Sequence, residues 1–192
     1  KETLALERAK ALNCADPGPP CGRCLSCTKI AHGVHPDVRV IEAEDGALKI
    51  AQVRELQREA ILAPFEGKRR IYILPDFQQA TPDAANCLLK TLEEPPPSVM
   101  LILTATDPGA LLPTIISRCQ VLALHSLSMQ ETRQALRATC QADAEHIELL
   151  ARLCEGRVGW AINACRDEQV LRDREKWINL LAQLPEEKLM GR

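Results

Sequence analysis

Aromatic side chains are scarce: one Tyr, two Phe and two Trp in 192 residues. Flat ring surfaces on which single-stranded bases could stack are therefore few. A basic surplus is lacking too. Twenty-four Lys and Arg against 26 Asp and Glu leave a net charge of -2, which argues against a chain that coats nucleic acid by itself, because phosphate binding needs a concentrated basic face. No apolar run approaches twenty residues, so no membrane span is expected. No signal peptide opens the sequence, and a cytoplasmic location is expected. The chain starts at Lys1, without a methionine and inside an amphipathic pattern, which predicts a preceding segment. At 46% hydrophobic residues, the length suits one sizeable domain and a small second one.

Cysteine, by contrast, is plentiful and odd in number, at nine. Cys87, Cys119, Cys140, Cys154 and Cys165 lie singly in apolar or helical stretches, as small buried hydrophobes do. The other four, Cys14, Cys21, Cys24 and Cys27, follow the spacing C-x6-C-x2-C-x2-C. Overlapping Cys-x-x-Cys turns let thiolates converge on one ion, and four sulfurs suit tetrahedral zinc. A redox pair would not need four cysteines, and free surface thiols would be an oxidation liability. A closed four-sulfur site leaves no position for water, so the zinc would be structural. His32 and His35 stand close enough in sequence to substitute as ligands, although His35 before Pro36 reads better as the end of an element.

Hydrophobic periodicity predicts alternating helices and strands up to about His125, then helices alone. Residues 2–12 place Leu4, Leu6, Ala9 and Leu12 at helical spacing. Strands are expected at Val38–Ile41, Ile71–Leu74, Val99–Thr104 and Val121–Leu124. Helices are expected before and between them at 28–32, 48–62 and 81–95, with a short turn ending at Ile115-Ile116. Thr81 is placed to cap the third of these, Pro82 suits its first position, and Pro95 to Pro97 end it. Continuously apolar strands alternating with helices imply a parallel sheet covered on both faces. Beyond residue 125, Ser128 and Glu131 form a capping box ahead of Thr132–Cys140. Further helices are expected at 144–154, 158–164 and 169–184.

Three segments, CGRCLSCTKIAHGVHPDV, AANCLLKTLEEPPPSV and ATDPGALLPTIISRCQ, resemble the AAA+ subunits of bacterial DNA polymerase III clamp loaders. These comprise the tau/gamma motor and its delta-prime relative, and the delta-prime branch is the better match. The resemblance covers nearly the whole chain. One departure is the loop between the first two cysteines, shorter here than in the family pattern. The family implies an α/β RecA-like domain over residues 1–124 with its N-terminal strand and phosphate loop missing. It implies an inserted zinc module at about 13–30, a small helical lid over 125–192, and an absent C-terminal collar domain.

The resemblance also bears on catalysis. A working phosphate loop needs a lysine and a Ser or Thr hydroxyl on magnesium. Lys1 takes the lysine position and Glu2 the hydroxyl position, where a carboxylate adds negative charge beside the phosphates. Working members follow the second strand with Asp-Glu, whereas this chain has Pro75-Asp76, and proline offers no oxygen to the metal's shell. A related polar position, at the end of the Val99–Thr104 strand, falls on Thr106. The lid's Gly-x-x-Arg turn reads Gly156-Arg157-Val158-Gly159, with glycine where the arginine belongs. A degenerate nucleotide site around Lys1 and Thr106 is thus implied, with no ATPase activity of its own and no ATP or magnesium expected. Ser117-Arg118-Cys119 occupies the position from which the family presents an arginine finger to the next subunit; taken alone, Arg118 would read as an ordinary surface salt bridge. Glu93, Glu94 and Lys90 read as a solvated or partner-facing helix end. Lys68, Arg69 and Arg70 are a basic triplet that could meet DNA phosphate, although such runs are more often solvated turns.

The resemblance therefore implies a non-catalytic stator within the polymerase III holoenzyme, at the end of a pentameric arc. Its partners would be the tau/gamma and delta subunits, with the sliding clamp and primed DNA contacted through the assembly. Two other readings remain. One is a divergent tau/gamma motor that hydrolyses ATP. The other is a zinc-dependent nucleic-acid module, against which the acidic charge and scarce aromatics weigh.

Overall fold

The computed structural model describes residues 1–167 and 169–182. It forms two compact units, one up to Leu122 and one from Ala123 onward.

The first unit is built on three parallel strands, β1 (Val38–Val40), β2 (Arg70–Leu74) and β3 (Val99–Leu103), in that spatial order. Val38 pairs with Ile71, and Ile73 with Ile102. Side chains alternate across a strand, so central β2 feeds two cores. Ile71 and Ile73 pack with Ala5, Ala9, Ile30 and Val38 on one face. Tyr72 and Leu74 pack with Val53, Leu56, Ala84 and Leu88 on the other. These four side chains are fully buried, and Ile71, Ile73 and Leu74 each contribute roughly 1.5–3 kcal/mol of apolar burial.

Helices cover both faces. On the first lie α1 (Glu2–Asn13) and α2 (Leu25–Ala31); on the second lie α3 (Ile50–Ala60) and α4 (Pro82–Glu93). The inward stripe of α1 differs from the leucine face expected. Ala5, Ala9 and Asn13 are buried, Leu6 and Leu12 partly so, and Leu4 is exposed. Ala5 and Ala9 pack with Ile30, Val38, Ile71 and Ile73, and Asn13, one turn further on, is buried by its bonds to Arg69. Thr81 caps α4 by accepting the Ala84 N–H at 3.2 Å. Gln57 ties α3 to α4 through the Cys87 carbonyl and the Thr91 hydroxyl, both at 2.8 Å.

The strand expected at Val121–Leu124 does not form. Val121, Leu122 and Leu124 are exposed and in irregular backbone. A strand is stabilised by a ladder to a neighbour, and among the described residues this segment has none; an apolar run alone does not supply it.

The second unit contains α6 (Met129–Thr139), α7 (Ala144–Leu153), α8 (Val158–Arg166) and α9 (Gln169–Ala182). It follows a single short turn, α5 (Pro113–Ile116), that belongs to the first unit. Ser128 and Glu131 form the expected capping box on α6. Leu136, Ile147, Leu150, Ala151, Cys154, Ala161 and Ala164 make the core. Glu148 on α7 receives Arg133 at 2.6 and 2.8 Å and Arg152 at 3.0 Å, and these two guanidiniums hold its carboxyl down to about 2. Residues 183 and 184 of the last expected helix lie outside the described residues.

Candidate metal centre and strand-end surface

The four clustered cysteines come together. Their sulfurs all lie within 4.8 Å of one another, and Cys14 Sγ is 3.9 Å from Cys24 Sγ. Tetrahedral zinc at about 2.3 Å from each sulfur places sulfurs about 3.8 Å apart, so the donor set fits such an ion. Cys14 closes α1, Cys24 caps α2 and Cys27 sits in its first turn. Gly22 takes a φ of 69°, bending the chain between Cys21 and Cys24. Backbone N–H groups point at sulfur: Asp16 to Cys14 at 3.4 Å, Cys24 to Cys21 at 3.3 Å, Cys27 to Cys24 at 3.5 Å. Such donors favour thiolate. The N–H groups of Ala15 and Cys27 hold the Cys24 thiol down to about 6, and Cys21 and Asp16 backbone lowers Cys14. Burial pushes Cys27 up to about 12, which a bound dication would reverse. Among the described residues, His32 and His35 stand outside the cluster.

The knuckle is bonded to the rest of the first unit by several side chains, of which Asn13 and Asp37 carry no signal in the sequence. Asn13 is buried; its side chain accepts the Arg69 N–H at 2.8 Å and donates to the Arg69 carbonyl at 2.9 Å. Lys68 Nζ donates to the Cys14 carbonyl. His35 is buried, with Nε2 3.1 Å from the Ser26 hydroxyl and Nδ1 accepting the Asp37 N–H at 3.1 Å. Beside it, the fully enclosed Asp37 carboxylate accepts the N–H groups of Phe65, Glu66 and Gly67 at 2.6, 2.8 and 2.7 Å. Arg70 lies 3.5 Å from Asp37 and donates to the Glu59 and Ala63 carbonyls. Arg69 donates to the Pro97 carbonyl at 3.4 Å. All three side chains of the basic triplet reach backbone carbonyls of their own unit, Lys68 and Arg69 from exposed positions and Arg70 from a half-buried one.

In open α/β sheets ligands gather at the carboxyl ends of strands. There β2 ends in Pro75-Asp76, with Asp76 in the left-handed region at φ 43°. The Asp76 N–H donates to the Thr104 hydroxyl at 3.1 Å, and its carboxylate accepts the Gln78 amide at 3.3 Å. Thr106 is exposed, its N–H donating to Gln78 at 3.3 Å. Thr104, passed over in the sequence, is thus the hydroxyl that meets the β2 turn. Lys1 and Glu2 are exposed at the start of α1.

Ser117, Arg118 and Cys119 follow α5. The Ser117 hydroxyl donates to the Thr114 carbonyl at 3.2 Å, and Cys119 packs against the second-face core, where burial raises its thiol. Arg118 between them is not free. Its Nε donates to Glu93 Oε1 at 2.7 Å, a second nitrogen reaches the same oxygen, and the third donates to the Thr114 carbonyl at 2.9 Å. Glu93, read from sequence as solvated or partner-facing, is its ion-pair partner. In the second unit, Gly156 at φ 79° has no room for a Cβ, which would stand 2.6 Å from the Leu127 carbonyl oxygen, whereas a Cβ on Gly159 would meet open space. Arg157 pairs with Glu155 at 3.2 Å.

The fold is of the AAA+ type. It is similar to a DNA polymerase III gamma-subunit-related protein of Thermotoga maritima, with TM-score 0.56 and 22% identity over 87% of this chain and 58% of that one. A RuvB mutant from the same organism aligns with TM-score 0.54 and 18% identity, covering 93% of this chain and 62% of that one. The family of DNA polymerase III, delta subunit, matches residues 1–128, and the chain belongs to it. Similar proteins include DNA polymerase III subunit delta′ of Bacillus subtilis, 34% identical over 98% of this chain and 57% of the relative. Subunit delta′ of Pseudomonas aeruginosa is 38% identical over 62% of this chain and 38% of its own length. Subunit tau of Escherichia coli is 34% identical over 85% of this chain and 26% of its own length. The chain thus spans from about a quarter to just over half of these relatives.

Proposed function

We propose that this chain serves in a bacterial sliding-clamp loader as a subunit that hydrolyses no ATP of its own and offers Arg118 to the nucleotide of a tau/gamma neighbour. The observation that carries the first half is the end of β2. Phosphoryl transfer depends on acids that hold magnesium and orient water. Here Pro75 has no side-chain oxygen, and the Asp76 carboxylate is engaged by Gln78. For the second half, a guanidinium suits phosphate oxygens because it stays charged and presents a planar fork of donors. Such a finger accelerates phosphoryl transfer by about 10³–10⁵.

The four-cysteine centre holds structural zinc in this reading, since a closed sulfur shell suits that ion and leaves no site for substrate. The helices after Ala123 act as a small lid, and delta, the clamp and primed DNA are reached through the assembly, in the cytoplasm. No helix among the described residues is long and apolar enough to cross a membrane.

The test is a loader reconstituted from the intact subunit and tau/gamma subunits whose own phosphate-binding lysines have been replaced. Hydrolysis should fall to background, since this chain supplies no working site. Residual magnesium-dependent turnover that disappears with Lys1→Ala would instead make it a divergent motor.

A further inference from the structure

Arg118 has five N–H donors, and four are engaged within the subunit. Its Nε and one terminal nitrogen meet a single carboxylate oxygen of Glu93, the last residue of α4. The other terminal nitrogen donates to the Thr114 carbonyl at 2.9 Å and the Ser117 hydroxyl at 3.3 Å. The Nε edge is one of the two edges a guanidinium offers to a planar or tetrahedral anion. A phosphate approaching along it meets a carboxylate already there, and the two anions repel. Yet the pair is weak. The Arg118 and Glu93 side chains are 32% and 48% exposed, and exposed pairs shift an equilibrium by up to about fivefold. A contact that occupies the right donors but is cheaply broken is what a resting partner requires.

We propose that Glu93 is a latch on Arg118: it holds the guanidinium inside the subunit until a neighbour's phosphates displace it. The proposal rests on the reading of Arg118 as an arginine offered in trans. Glu93 is then a positioning residue that sets the threshold for engagement, and its removal should favour engagement before DNA and clamp arrive.

The experiment compares intact loaders carrying wild-type subunit, Glu93→Gln, Arg118→Ala, and both changes, with assembly checked by gel filtration. Glutamine keeps the shape of Glu93 and removes its charge. The latch predicts that Glu93→Gln raises ATP hydrolysis without DNA or clamp by up to about fivefold, and that the rise vanishes in the double variant. A purely structural Glu93 would produce no such gain dependent on Arg118. An unchanged or lowered basal rate with Glu93→Gln, while Arg118→Ala lowers hydrolysis, overturns the latch and leaves the finger standing. If Arg118→Ala has no effect, the finger reading fails and the latch with it. The ion pair itself is then judged by the Arg118 Nε–H resonance of the free subunit: slowed exchange that Glu93→Gln abolishes upholds the contact, and equal exchange in both proteins removes it.

Discussion

Asp37 sits with His35 where the inserted loop, β1 and the segment after α3 converge. Burial alone would push its carboxyl up, but the N–H groups of Phe65, Glu66 and Gly67 and the nearby Arg70 prevail, and it lies below the usual carboxylate range. A carboxyl depressed by folding contributes stability that is complete above the unfolded value, about 3.9, and is lost as pH falls through the folded one. His35 adds to the same trend. Burial holds its imidazole below the ordinary value against the pull of Glu66 and Asp37, so below about 6.5 the unfolded chain takes up a proton that the folded one refuses. Stability should therefore decline from near pH 6.5 downward in two stages, and Asp37→Asn should shrink the lower stage, the remainder of which belongs to other lowered carboxyls such as Glu148. Asp37→Ala leaves the three N–H groups without their acceptor and removes the anion beside Arg70, and should cost about 3 kcal/mol or more. Urea unfolding of the intact protein at a series of pH values checks both; a pH-independent midpoint would refute the assignment.

At the scale of elements, the cysteine knuckle behaves as a small module fastened to a sheet. Its four thiols were legible because metal-ligand spacing is local in sequence. Its fastenings were not: Asn13 bonds Arg69 across 56 positions, and Asp37 meets Phe65 across 28. No periodicity reports such pairings. The strands at 38, 70 and 99 were legible as apolar runs, and the α4 cap as Thr81-Pro82. The segment at 121–124 shows the limit of that reasoning, since a run specifies burial and a strand also needs a neighbour. Likewise the face that α1 turns inward, with Ala5 and Ala9 buried and Leu4 exposed, is set by packing partners distant in sequence, Val38, Ile71 and Ile73 among them. The module's expected outcome is one zinc per chain by elemental analysis, lost in Cys24→Ser. Chelation should expose residues 14–35 to proteolysis first, since apart from Ile30 the two cores around β2 draw on side chains outside that stretch; an unchanged cleavage pattern after metal removal would show that the ion does not hold the knuckle.

For the whole molecule, the α/β unit followed by a helical unit was readable from the change in period near residue 125, and family membership agrees with the motifs that first suggested it. The arrangement of charge was less readable. The basic side chains at 68–70 reach carbonyls distant in sequence, and Arg118 is held by Glu93, contacts that depend on segments meeting in three dimensions. The central claim is that this chain's chemistry is exercised at a neighbour's nucleotide. Its most direct test is DNA- and clamp-stimulated ATP hydrolysis by a loader reconstituted with the intact subunit, wild type against Arg118→Ala, with assembly verified in both. The account predicts an assembled complex that loses at least one site's share of hydrolysis. A complex that assembles and hydrolyses ATP at the wild-type rate would show Arg118 to be a structural arginine and contradict the mechanism.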